Sequence, residues 1–144
     1  EDDAAAKDTA DFVAGLAGLM ATQAPAGFVN LSSSFSLRQL SIEHLLTAVD
    51  GVTWQGSTPR RILAASRPAT NTVCAILYHT DFLTELIAVL DALPLEPIVP
   101  IDWKLNVALM RMFDRGSMTS SVCWFIDPAP ISQMSMEPAG ILPQ

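Results

Sequence analysis

Two histidines, two cysteines and a cluster of arginines are the side chains best equipped for chemistry in this sequence. His44 and His79 carry imidazoles, which titrate near neutrality and ligate metals when neutral. A catalytic zinc site needs three protein ligands and a structural one four, yet the sequence has no His-x-x-x-His, Cys-x-x-Cys or Glu-x-x-His pattern. A further ligand from Asp50, Asp81, Glu85 or a cysteine would have to be brought in by the fold. Neither histidine is therefore expected to hold a metal, and no cofactor is expected. On a helix, the spacing of Cys74 and His79 points the two side chains in different directions. Cys74 and Cys123 are expected to be buried packing thiols rather than activated nucleophiles, with one bridge between them left open.

Arg60, Arg61 and Arg67 lie close together in the sequence, as candidates for gripping an anion or a partner's carboxylate. A solvated face or a salt-bridge site is the expected use. The chain as a whole has a net charge of −7, with Glu1, Asp2, Asp3, Asp8 and Asp11 crowded at its start. That balance gives no general attraction to nucleic acid. Neither a Gly-x-Ser-x-Gly elbow nor a Gly-Lys-Ser/Thr phosphate loop occurs.

Apolar residues make up 50% of the 144 residues and charged ones only 16%, well under the usual share of about 25%. The richest apolar stretch, Val73 to Leu93, is broken by His79, Asp81, Glu85 and Asp91. Charges at a bilayer centre cost about 3 kcal/mol each, so no transmembrane segment is expected. The acidic, polar first residues are expected to contain no signal or transit peptide. Excess apolar surface is then expected to meet another protein surface.

The elements that would position these groups read as helices. Asp8 to Gln23 forms the first, with Phe12, Leu16, Leu19 and Met20 on one stripe and Ala10, Ala14, Ala17 and Ala21, beside Gly15 and Gly18, on a stripe of small residues. Ser36 to Gln39 suggests a capping box opening a second helix to Val49, stopped by Asp50-Gly51. Thr58-Pro59 suggests a short third helix to Ser66. Asn71 to Leu93 reads as a central helix, apolar around most of its circumference. Asp102 is expected to cap a helix from Trp103 to Phe113, while Met118–Ile126 is open between strand and helix. The prolines after Asp127 preclude a helix or a central strand there, so residues 127–144 are expected to form an extended arm.

Over residues 41–93, the order of a helix, Trp54 near a turn and a central helix bearing His79 resembles DinB-like helical bundles. That resemblance implies a histidine triad around a metal, but no further histidines follow His79 to complete it.

The sequence thus predicts an all-α domain over 1–126, a bundle of four to five helices around the 71–93 helix, followed by the 127–144 arm. The expected function is a non-catalytic structural or interaction subunit of a larger assembly, with other protein subunits, including copies of itself, as partners. Trp103, Trp124, Ile131, Met134, Met136 and Leu142 are its interface candidates. The competing expectation is a small-molecule-binding or metal-dependent helical-bundle enzyme using His44 and His79.

Overall fold

The run Cys123-Trp124-Phe125-Ile126 is apolar at every position because it forms a central strand covered on both faces. In a computed structural model describing residues 4–22, 27–32, 43–65, 70, 75–94, 99–116 and 123–133, the chain is a mixed α/β fold rather than an all-α bundle. Its elements are β1 (Ala4–Ala6), α1 (Thr9–Ala21), β2 (Phe28–Asn30), a 3-10 turn (Glu43–Leu45), β3 (Leu46–Ala48), β4 (Arg61–Ala65), β5 (Ile76–Tyr78), α2 (Thr80–Asp91), α3 (Ile101–Asp114), β6 (Cys123–Asp127) and β7 (Ile131–Gln133).

Five strands form one sheet in the order β3-β4-β6-β2-β5, and β1 and β7 pair separately. Within the large sheet only the β2–β6 pair is parallel. Successive side chains of a strand point to opposite faces. Phe28, Leu63, Cys123 and Phe125 therefore meet Leu86 of α2 and Leu105, Ala108, Leu109 and Met112 of α3. Val29, Ile62, Trp124 and Ile126 meet Leu19 of α1, Trp54 and Ile131 on the other side. The sheet is the middle of three layers, and sheets buried on both faces lose the apolar–polar alternation that would announce them.

That explains the misreadings. In the described part of the expected 71–93 helix, residues 75–93, the chain forms a strand, β5, followed by a shorter helix, α2, on the outside of the sheet. His79 follows the strand and caps the helix, its Nδ1 accepting from the Asp81 N–H at 3.3 Å. Leu86 is buried, while Thr84, Glu85 and Ile87 are exposed. The expected helix from Pro59 is instead β4, paired with both β3 and β6. The described part of the expected second helix, residues 43–49, holds the 3-10 turn and β3; the rest of it, with the capping box at 36–39, lies outside the described residues.

Two helices fall close to where their periodicity put them. The Asp8 side chain caps α1 by accepting from the Asp11 N–H at 3.0 Å. The N-cap of α3 is Pro100, not Asp102, whose carboxylate instead accepts from the Trp103 N–H. Gly116, at φ +72, closes that helix, in the left-handed conformation glycine takes readily.

Residues 127–133, expected to begin an extended arm lying along its own surface or a neighbour's, lie against their own chain. β7 pairs antiparallel with β1 of the same chain, and Ile131 also bridges to Ser32. Residues 134–144 lie outside the described residues. No helix among the described residues is long and apolar enough to cross a membrane.

Candidate functional site

His44 precedes β3 and His79 follows β5, which puts them at opposite edges of the five-stranded sheet. Four inter-strand spacings separate those edges, about 19 Å. They cannot line one pocket, so the enzyme built on both histidines loses its geometry. Among the described residues, no three His, Cys, Asp or Glu side chains are gathered for a metal. Cys123 is fully buried and faces α3; Cys74 lies outside the described residues.

Of the arginine cluster, Arg60 is an internal group. Its side chain is 4% exposed and lies 2.9 Å from Asp11, itself 1% exposed at the side chain. The Asp11 carboxylate accepts from the Thr58 N–H at 2.8 Å, the Trp54 indole at 3.3 Å and the Arg60 guanidinium at 3.2 and 2.9 Å. The Thr58 amide leads in holding the Asp11 carboxyl below its ordinary range, against the opposing effect of burial, with Arg60 and Trp54 adding to it. Arg60 also donates to the Pro128 carbonyl at 2.5 Å and lies over the Trp54 ring. These contacts fasten α1 to the loop before β4 and to the chain after β6. Arg61 pairs with Asp127 across the β4–β6 ladder, and Arg67 lies outside the described residues. Arg60 and Arg61 are thus committed to partners within the chain.

Asp11 was missed as a structural group because acids near a helix start also suit the helix dipole. The available signal was its position on the same helical face as Gly15 and Gly18. That small-residue face packs inside the chain: Gly15 abuts the Trp54 ring and Gly18 the Gln55 side chain.

A second polar cluster ties α3 to the sheet. Thr70 Oγ1 donates to Asn30 Oδ1 at 2.7 Å, and Asn30 Nδ2 donates to the Trp124 carbonyl at 3.2 Å. Asn106 on α3 exchanges two bonds of 2.8 Å with the Thr70 backbone. Both side-chain amides are occupied by the fold.

The interface candidates divide. Trp124 and Ile131 are buried in the chain's own core, and Met134, Met136 and Leu142 lie outside the described residues. Trp103 is 66% exposed and Val107, one turn on, 47%. They share the outward row of α3 with Arg111, opposite the buried row of Leu105, Leu109 and Met112. Lys104, Arg111 and Arg115 also give this helix three cations, against Asp102 and Asp114, in a chain that is otherwise acidic.

A cleft of about 260 Å³ opens between the end of α1 and β5. Leu19, Met20, Val29, Leu77 and Trp124 give it an apolar lining, and Thr22, His79 and Thr80 supply polar groups. Comparison of the chain with known protein families, curated proteins and solved structures finds no match.

Proposed function

We propose that this chain is a non-catalytic subunit of a protein assembly, and that it associates with a second copy of itself through the outer face of α3. The carrying observation is the exposed row Trp103, Val107 and Arg111. Tryptophan and arginine are the residues most enriched in binding hot spots.

The row is self-complementary. Closed dimers use the same patch on both subunits. Two α3 helices crossing antiparallel at Val107 bring each Trp103 to the partner copy's Arg111, since both lie one helical turn from the crossing point. A guanidinium over an indole contributes about 0.5–1 kcal/mol even when exposed. Ridges formed by residues four apart are also the commonest way for helices to interdigitate. The chain's net charge of −7 opposes self-association at long range, while α3 and its C-cap carry Lys104, Arg111 and Arg115 against Asp102 and Asp114.

Light scattering coupled to size exclusion, on the full chain over a wide concentration range, tests the reading. The expected result is a concentration-dependent dimer that Trp103→Ala and Val107→Asp both abolish while helical content is kept. A monomer at every concentration, or a dimer indifferent to both substitutions, contradicts it.

A further inference from the structure

We infer that the outer edge of β5 accepts an extended peptide of a partner protein as an added strand, with one large apolar side chain of that peptide seated in the cleft beside α1. This surface is separate from the outer face of α3, so it stands or falls independently of the self-association reading.

β5 ends the five-stranded order, with β2 as its only neighbour among the described strands. Backbone bonds from His79 to Gly27 and from Leu31 to Ala75 fix which residues face β2. In an antiparallel ladder alternate residues bond to the same neighbour. His79, Leu77 and Ala75 therefore turn toward β2, and the N–H and C=O groups of Ile76 and Tyr78 turn away from it. Such an edge is a template for another strand.

The cleft lies where an added strand could use it. Residues directly opposite in paired strands share a face. A residue set against Leu77 would project to the α1 side of the sheet, the side on which Leu77, Val29, Trp124 and Leu19 line the cleft. An apolar cavity of about 150 Å³ admits benzene, so 260 Å³ has room for one aromatic side chain. None of the described residues lining the cleft is a carboxylate, which suits an uncharged, apolar insert. Main-chain bonding along the edge with a pocket for one side chain is the usual division of labour in strand addition.

The size of the edge selects the occupant. A stable dimer needs about 800 Å² from each partner, and a strand of three residues beside one small cleft falls far short of that. A peptide that bonds through its backbone suits so short an edge better than a second copy does.

The probe is a short, end-blocked peptide alternating threonine and valine with one central phenylalanine, titrated into the full chain and followed by amide NMR shifts. Expected are saturable shifts centred on Ile76, Tyr78 and the cleft. N-methylating the alternate amides that face β5 should weaken binding roughly tenfold, whereas methylating the other set should not. Replacing the central phenylalanine by aspartate should abolish it. Absence of binding, equal effects from both methylated sets, or shifts centred on α3 would overturn the inference. So would a dimer joined through β5 that leaves the peptide no access.

Discussion

Replacing Gly15 with alanine sets helix propensity against packing, and the structure says which wins. Alanine in a helix interior is ordinarily favoured over glycine by about 1 kcal/mol. Here the new Cβ would lie 2.0 Å from two atoms of the Trp54 ring and 2.5 Å from a third, where ordinary contact begins at 3.4 Å. Trp54 is buried, so its ring cannot swing into water. Overpacking of this kind costs about 1–3 kcal/mol. Retreat of the ring would also break the indole's 3.3 Å bond to Asp11, and an unsatisfied buried donor costs about 1–3 kcal/mol more. Subtracting the propensity gain leaves a net loss of about 1–5 kcal/mol.

Gly18→Ala is the matched control on the same helix. Its Cβ would meet Gln55 Cγ at 2.7 Å, but Gln55 is exposed and flexible and gives way. That variant should be neutral or gain up to about 1 kcal/mol. Urea unfolding of both variants, followed by circular dichroism, reads the difference. If Gly15→Ala proves as stable as Gly18→Ala, the close seating of α1 on Trp54 is wrong.

Leu109→Ala, at a fully buried position between α3 and the sheet, should cost about 2–5 kcal/mol in the same unfolding assay. Ile87→Ala, on the exposed side of α2, should change stability by less than about 0.5 kcal/mol, a contrast that a bundle centred on that helix would not give. Thr70→Val removes the hydroxyl that donates to buried Asn30 and should cost about 1–3 kcal/mol by urea unfolding. The lowered Asp11 carboxyl means that the unfolded chain binds its proton at a higher pH than the folded one. Stability from this group is present above the ordinary value of 3.8 and fades as pH falls through the folded value. Asp11→Asn should therefore flatten the acid limb of the stability–pH curve.

Local signals survived into the structure and tertiary ones did not. α1 could be placed because Asp8 caps it and its apolar spacing is helical; α3 could be placed from its apolar row and Gly116. The stretch around Ile76 and Leu77 was misread because adjacent apolar residues facing two buried layers resemble a helix that is apolar all round. Arg61 to Ala65 was misread because Thr58-Pro59 resembles a helix start, whereas the Thr58 amide is spent on Asp11, distant in sequence. The Asp11–Arg60 pair and the Asn30–Thr70–Asn106 cluster depend on such long-range meetings, which spacing alone does not reveal. Of two tryptophans read alike as interface candidates, Trp103 is exposed on α3, while Trp124 fills the core. Trp124 lies on the central strand beneath the α1 layer, whereas Trp103 faces outward from α3.

Cysteine cross-linking at the proposed two-fold tests the self-association through α3 most directly. Val107→Cys puts a thiol where the two helices are said to cross. Val13→Cys puts one at a comparably exposed site, 59% against 47%, on α1 across the sheet. With a short bifunctional thiol reagent, measured against the unsubstituted chain, Val107→Cys should yield a covalent dimer that Trp103→Ala prevents. Val13→Cys should yield none. Equal cross-linking at both sites, or none at Val107→Cys in a sample that light scattering shows to be dimeric, would contradict it.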